Sequence, residues 1–401
     1  MKKRILIHMH YMALGGAERA LLGLLNSFDP NFVCVDLFLD QHIGDFMPLI
    51  PTYVNLLPEI PEYTAIERPI KNIIKEGFLR IGWERICAKI SHKIYYNKLD
   101  NNQKEYDRSI FRFIADRLDP YLPNINNITY DLAISFIQPH NTVLNKVNAK
   151  KKIAWIHTDY GSIHINVEKE FKIWSRYDAI ASISDDCTKG FLAKFPTLSS
   201  KIILVENILS SNFILQQSTY DKDIEIASTP NCINLLSIGR FAHPKNYDNI
   251  PYISKILVDK GVNFKWYIIG DGIEFDAVKK IIRDTNMEKH VILLGKKPNP
   301  YPYIKACDLY VQPSRYEGKS VTVREAQILC KPVIVTNYAT ANSQINNGFD
   351  GIIVPMDNEG CAKGIISVIE NKQLQKSLIN YLSTHNYSNE SEVKKVYNLL
   401  K

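Results

Sequence analysis

The chain has 401 residues, 45% hydrophobic and 23% charged, with a formal net charge of +7. That length supplies two domains with a core each, and the composition excludes a disordered or fibrous chain. The seven cysteines are odd in number and scattered without a CxxC pair, which excludes a disulfide framework and points to reduced thiols.

In chain order, residues 4–8 read as a buried parallel strand rather than a signal-peptide core, because His8 and His10 break the apolar run. Gly15 and Gly16 follow in a loop, and residues 17–25 form an apolar-faced helix. The glycine pair lacks the third glycine and downstream acid of a dinucleotide fingerprint. What remains is a loop thin enough for backbone N–H groups to approach a ligand, or a simple turn. Residues 33–39 are the next strand, and 131–136, 152–157, 179–184 and 201–205 continue the series. His157 ends its strand, where an imidazole could bond a sugar hydroxyl or carry a proton; a buried structural histidine is the alternative. Asp185 and Asp186 are expected to cap a helix that begins near Thr188.

Residues 67–98 break the alternation: eight Lys or Arg stand against three Glu, with Ile70, Ile73, Phe78, Leu79, Trp83 and Ile90 among them. This reads as one or two basic amphipathic helices. Either they offer a surface to anionic lipid, or their apolar face packs on the sheet and the basic face is solvated. No apolar run approaches the roughly 18 residues of a membrane-spanning helix.

Residues 209–230 are polar and read as linker. Strands then resume at 232–238, 264–270, 291–294, 308–311, 331–336 and 351–355. Strand, loop and helix in alternation predict an α/β protein of two Rossmann-like doubly wound domains facing a central cleft. The expected domains are 1–208 and 209–380, with 381–401 a C-terminal helical segment that could pack back on the first.

Two stretches of the second domain carry candidate chemistry. Arg240 and Lys245 follow its first strand, where a guanidinium fork and a compact ammonium could neutralise a diphosphate, or merely face solvent. Glu317 and Glu325 bracket Gly318-Lys319-Ser320-Val321-Thr322-Val323-Arg324, a loop running into a helix. Helix N-termini present unpaired N–H donors and suit phosphate, so two carboxylates around one would fit a nucleotide sugar; an ordinary loop-to-helix junction with solvated acids is the alternative. Gly270-Asp271-Gly272 is a tight-turn signal.

The passage 313–355, with seven residues between its glutamates, resembles the donor-site signature of retaining glycosyltransferases of family 4. These are group 1 glycosyltransferases of the bacterial polysaccharide-biosynthesis type, with the GT-B fold. The resemblance implies a retaining transfer of a sugar from a nucleoside diphosphate donor, with UDP expected, to a hydroxyl of a glycan or lipid-linked oligosaccharide. It implies catalytic roles for Glu317, His157, Arg240 and Lys245. It also implies donor contacts at Gly15, Gly16, Arg240, Lys245, Gly270, Gly318, Lys319, Ser320, Val321 and Glu325, and acceptor contacts at Asp159 and Glu18. No cofactor and no metal are expected, since no DxD motif stands beside a suitable strand. Other expected partners are an anionic membrane surface and no nucleic acid, with a cytoplasmic location peripheral to the inner face of the cytoplasmic membrane. Lys319 departs from the family, where Gly-Phe is common, so donor specificity does not carry over. A GT-B sugar-nucleotide epimerase and a non-catalytic nucleotide-sugar-binding protein are the competing readings.

Overall fold

A computed structural model describes residues 2–13, 15–220, 224–226, 230–317 and 320–400. The chain divides into two units, Met1–Ile208 with Asn389–Lys401, and Leu209–Ser388.

The first unit is built on a seven-stranded sheet. Its strands are β1 (Lys3–Met9), β2 (Val33–Leu39), β3 (Asn55–Leu56), β4 (Thr129–Ser135), β5 (Asn148–Ile156), β6 (Ala179–Ser182) and β7 (Ile202–Leu204). They lie in the order β3-β2-β1-β4-β5-β6-β7, and every pairing is parallel. Parallel strands covered on both faces read as continuous apolar runs, which is why β1 and β2 were legible. Leu6, Ala133, Ile156, Trp174 and Phe191 share one core cluster. The Asp pair at 185–186 lies in the first turn of helix Asp185–Lys194, whose cap is Ser184, accepting from the Cys187 N–H at 3.2 Å. The acids thus sit against the positive end of the helix dipole rather than capping it.

Residues 61–118 form helices, including Ile70–Lys75, Leu79–Tyr96 and Ile110–Leu118. Phe38, Tyr63, Ile73, Ile81, Leu118 and Leu122 make a separate core beneath them. The stretch 389–401 also belongs to this unit: the Tyr397 hydroxyl accepts from the Asp29 N–H at 2.7 Å, and its ring meets Phe32 edge-on at 5.0 Å.

The second unit holds β8 (Ile233–Ile238), β9 (Phe264–Ile269), β10 (Val291–Gly295), β11 (Leu309–Gln312), β12 (Val333–Thr336) and β13 (Ile352–Val354). Their order is β10-β9-β8-β11-β12-β13, again parallel throughout. Leu235, Ile253, Leu257, Trp266, Ile268 and Val311 fill its core. The expected linker at 209–230 contains a helix, Ser211–Gln217, whose Ser210 cap accepts from the Phe213 N–H. Seven residues with Phe213 and Ile214 buried show too little periodicity to be read from sequence.

The strand order of each sheet reverses once, between β1 and β4 and between β8 and β11. Open parallel sheets bind ligands at such switch points, beyond the strands' C-terminal ends. Gly15 and Gly16 follow β1 and Arg240, Lys245 and Glu317 follow β8 and β11, at these points, while His157 and Asp159 follow β5 and Gly270 follows β9 beside them.

Candidate functional site

In the second unit the loops after β8 and β11 are laced together. The Asn246 amide donates to the Pro313 carbonyl at 2.8 Å, and the Arg315 N–H to the Pro244 carbonyl at 2.8 Å. Arg315 also forks onto both oxygens of Asp248 at 2.8 and 2.7 Å. This lacing sets Lys245 against Glu317, Nζ to Oε1, at 2.6 Å. Ser314 Oγ donates to the same oxygen at 2.7 Å and Gln312 Nε2 at 3.0 Å. Oε1 is thereby saturated, while Oε2 receives no hydrogen bond from the described residues. Thr340 Oγ1 holds the Glu317 carbonyl at 2.7 Å. Lys245 has three N–H donors and spends one on Glu317.

The two glutamates differ in access. Glu317 is 9% exposed and Glu325 is 0% exposed. Glu325 Oε1 accepts from the Tyr301 hydroxyl at 3.0 Å, so in this structure it anchors helix Val321–Ile328 from within. Ser320 holds the N-cap position of that helix without a side-chain capping bond, and Gln344 brackets it, accepting from the Ser320 N–H at 3.0 Å and donating to its carbonyl at 2.6 Å. Val321 is half-buried in the first turn and Arg240 is exposed beside Gly239. Gly318 and Lys319 lie outside the described residues. Gly270 has φ +143°, and a Cβ there would run into the Gly239 carbonyl. The glycine therefore keeps the β9 loop against the β8 loop. Gln312, Ser314, Tyr301 and Thr340 escaped the sequence reading; the polar Gln312 and Ser314 closing an apolar strand were the available signal.

In the first unit, Gly15 is the N-cap of helix Gly16–Ser27. A Cβ on Gly15 would meet the Glu18 carboxylate, which folds back over it. Burial raises the Glu18 pKa against the helix backbone and the His10 charge. The His157 ring lies parallel to Trp155 at a ring distance of 6.4 Å and tilted against Phe136 at 4.6 Å. Its Nε2 is buried without a hydrogen bond, and burial lowers its pKa to about 3. The imidazole is therefore neutral near pH 7, able to exchange a hydrogen bond but poorly suited to carrying a proton. Asp159 is exposed and tied into its own turn, accepting from the Gly161 N–H at 2.8 Å.

A cluster the sequence reading passed over lies at the β1–β4 switch point. Asp40 accepts from His8 Nε2 at 3.0 Å and from His10 Nδ1 at 2.6 Å, while His10 Nε2 meets the Gln138 carbonyl at 2.6 Å. Both nitrogens of His10 face acceptors, so both carry protons. Burial alone would strip that charge, but Asp40, Glu67 and the Gln138 carbonyl outweigh it and raise the His10 pKa to about 9. Among the described residues this is the one trio spaced to hold a metal ion. Its atoms are already engaged with one another.

Residues 217–384 match the family described as glycosyl transferases group 1. The chain is 22% identical over 380 residues to the N-acetylgalactosamine-N,N'-diacetylbacillosaminyl-diphospho-undecaprenol 4-alpha-N-acetylgalactosaminyltransferase of Campylobacter jejuni, covering 94% of this chain and 93% of that one. It is 25% identical to the poly(ribitol-phosphate) alpha-N-acetylglucosaminyltransferase of Staphylococcus aureus, covering 66% of this chain and 53% of the relative. Among solved structures, Anabaena HepE in complex with UDP and glucose has a TM-score of 0.63 at 14% identity, covering 99% of this chain and 98% of that one. A Staphylococcus aureus TarM structure containing UDP has a TM-score of 0.62 at 14% identity, with 100% of both chains covered. At such identity the structural likeness speaks for the fold.

Proposed function

We propose that this chain, which belongs to the group 1 glycosyltransferases and has the GT-B fold, moves a sugar with retention from a UDP-sugar to a glycan hydroxyl. The observation that carries the donor reading is the loading of Glu317: three donors converge on Oε1 while Oε2 stays available. A carboxylate held this way can accept from a donor-sugar hydroxyl without reorganising, and Lys245 keeps two N–H groups for phosphate oxygens. Arg240 adds an exposed guanidinium, and the first turn of helix Val321–Ile328 adds backbone donors. In this reading Gly270 serves the base side of the donor, and Glu325, sealed in this structure, supports the ribose side from behind by anchoring helix Val321–Ile328.

The bond from the anomeric carbon to the β-phosphate oxygen breaks, and its electron pair leaves with the UDP. The acceptor oxygen bonds to the same face of the anomeric carbon, and its proton passes to the departing phosphate. No double displacement is proposed, because no Asp/Glu pair among the described residues is assigned as its nucleophile and acid. His157 supplies a neutral hydrogen-bonding group to the sugar, Gly15 and Gly16 backbone donors, and Glu18 and Asp159 polar groups for the acceptor. No metal or other cofactor enters.

The acceptor we propose is a lipid-linked oligosaccharide or a cell-surface polymer; the names of relatives describe diphospho-undecaprenol-linked sugars and a poly(ribitol-phosphate) as their own substrates. The enzyme would work at the cytoplasmic face of the membrane without crossing it; no described helix is long and apolar enough to do so. Incubation with a panel of UDP- and GDP-sugars and an undecaprenyl-diphosphate-linked acceptor, followed by NMR of the product, tests the reading. UDP release coupled to an anomerically retained disaccharide is expected. An inverted product, or UDP released with an epimerised free sugar, overturns it.

A further inference from the structure

Residues 157–166 join β5 to helix Val167–Trp174 and carry both His157 and Asp159. Their one internal feature is the turn at Asp159, whose carboxylate accepts from the Gly161 N–H at 2.8 Å and whose carbonyl accepts from the Ser162 hydroxyl at 2.8 Å. A segment without helix or strand is ordered only by what holds it. Tyr160 and Ile165 are buried in the core of the first unit. His164, between them, is held from a different direction.

Its holder is the helical excursion of residues 61–118. Asp107 and His164 form an isolated parallel bridge. The His164 N–H donates to the Tyr106 carbonyl at 2.9 Å, and the Arg108 N–H donates to the His164 carbonyl at 2.8 Å. Helix Leu79–Tyr96 then locks each side of that bridge. The Tyr95 hydroxyl and His164 Nε2 share a hydrogen bond of 2.9 Å, and their rings lie near-parallel at 6.2 Å. His92 Nε2 meets Asp107 Oδ2 at 2.7 Å. His92 and Tyr95 stand three residues apart on one helix face, and Phe113 packs against both rings at 5.7 and 5.5 Å.

The excursion has a core of its own around Tyr63, Ile73, Ile81 and Leu118, so these polar grips serve the loop more than the helices. His164 spends its N–H, its carbonyl and its Nε2 on the excursion. The exposed Asp159 carboxylate is tied through Gly161 to the turn that leads into His164, and its position follows the turn's.

We propose that Tyr95, His164, His92 and Asp107 form a clasp through which the helical excursion sets the shape of the β5 loop, and with it the fit of the acceptor. These are positioning residues: they act through the loop and touch no substrate. The proposal rests on the reading that Asp159 lies on the acceptor side of a glycosyltransferase site.

Tyr95→Phe removes one hydroxyl and keeps the ring against Phe113. It should raise the KM for the undecaprenyl-diphosphate-linked acceptor about fivefold, the worth of one net hydrogen bond, and speed amide exchange across residues 158–166 by a similar factor. His164→Ala should raise that KM by about tenfold or more. In both variants the donor KM and the rate of UDP release to water should stay at wild-type values. His164→Gln, whose amide reaches about as far as Nε2, should recover most of the loss. Faster exchange with an unchanged acceptor KM would reduce the clasp to a structural staple and overturn the proposal. So would donor and acceptor KM rising together, or His164→Gln behaving like His164→Ala. Should wild type release UDP from no UDP-sugar, the donor reading fails instead, and hydrogen exchange alone decides whether the clasp orders the loop.

Discussion

Glu317 is where one residue's surroundings decide most. Removing its carboxylate strands Lys245, Ser314 and Gln312 at once and, in the proposed donor reading, takes away the group that accepts from the donor sugar. Glu317→Ala should therefore cut kcat at saturating donor by about a hundredfold, roughly 3 kcal/mol of transition-state stabilisation. Glu325→Gln should raise the donor KM more than it lowers kcat. Small, equal effects from both in a UDP-release assay would show that neither acid serves the donor. His10 gives a second test. Its pKa rises from 6.5 to about 9 on folding, so folding takes up protons between those values. The stabilisation is complete below pH 6.5 and is lost as pH climbs through about 9, on the order of 3 kcal/mol in all. Thermal melts should show a fall in Tm from pH 7 to 9.5 that His10→Gln flattens; an unchanged slope would remove His10 as the cause. This cluster was not legible as a motif, because Asp40 is 30 residues from His10. Strand pairing would have found it: His8 sits opposite Phe38 in the parallel β1–β2 register, so the two strand ends carry their polar residues to one place.

At the scale of elements, apolar β-branched runs made the strands readable, and the loops' purpose was less so. Gly270-Asp271-Gly272 read from sequence as a tight-turn signal, with a donor contact at Gly270 implied only by the resemblance. In the fold its glycines take φ +143° and +159°, and a Cβ on either would run into the carbonyl of Gly239 or Phe241. Side chains are disfavoured there on both counts. Gly270→Ala should cost about 2–4 kcal/mol in urea unfolding and weaken UDP binding through the displaced β8 loop. A variant of wild-type stability would mean that the loop simply yields. Residues 61–118 were harder still. An amphipathic helix has the same sequence signature whichever face packs inward, so neither reading of 67–98 could be chosen. The fold chooses an inverted arrangement for helix Leu79–Tyr96, with Ile81, Glu84, Arg85 and Ala88 buried. Leu79, Trp83, Ile90 and Ile94 are 64%, 59%, 56% and 58% exposed. Their spacing of four, seven and four residues places them on one face.

For the molecule as a whole, that face meets the net charge of +7. Exposed apolar residues in a contiguous stripe signal an interaction surface, and Lys71, Lys75, Arg80, Lys89 and Lys93 stand exposed around this one. An anionic bilayer fits both features. Each basic group near such a surface contributes about 1 kcal/mol, and burying Trp83 and its neighbours adds about 25 cal/mol per Å² of apolar area. The first term is screened by salt over about 10 Å at 0.1 M, and the second is not. Co-sedimentation with liposomes separates them. Wild type should bind phosphatidylglycerol vesicles at low salt and lose most of that binding at high salt. A variant with Lys71, Lys75, Arg80 and Lys89 changed to Gln should bind weakly at any salt. Changing Leu79, Trp83 and Ile90 to Ser should remove the salt-resistant remainder. Should wild type ignore anionic vesicles at low salt, the stripe faces something other than lipid, and the acceptor need not be membrane-bound.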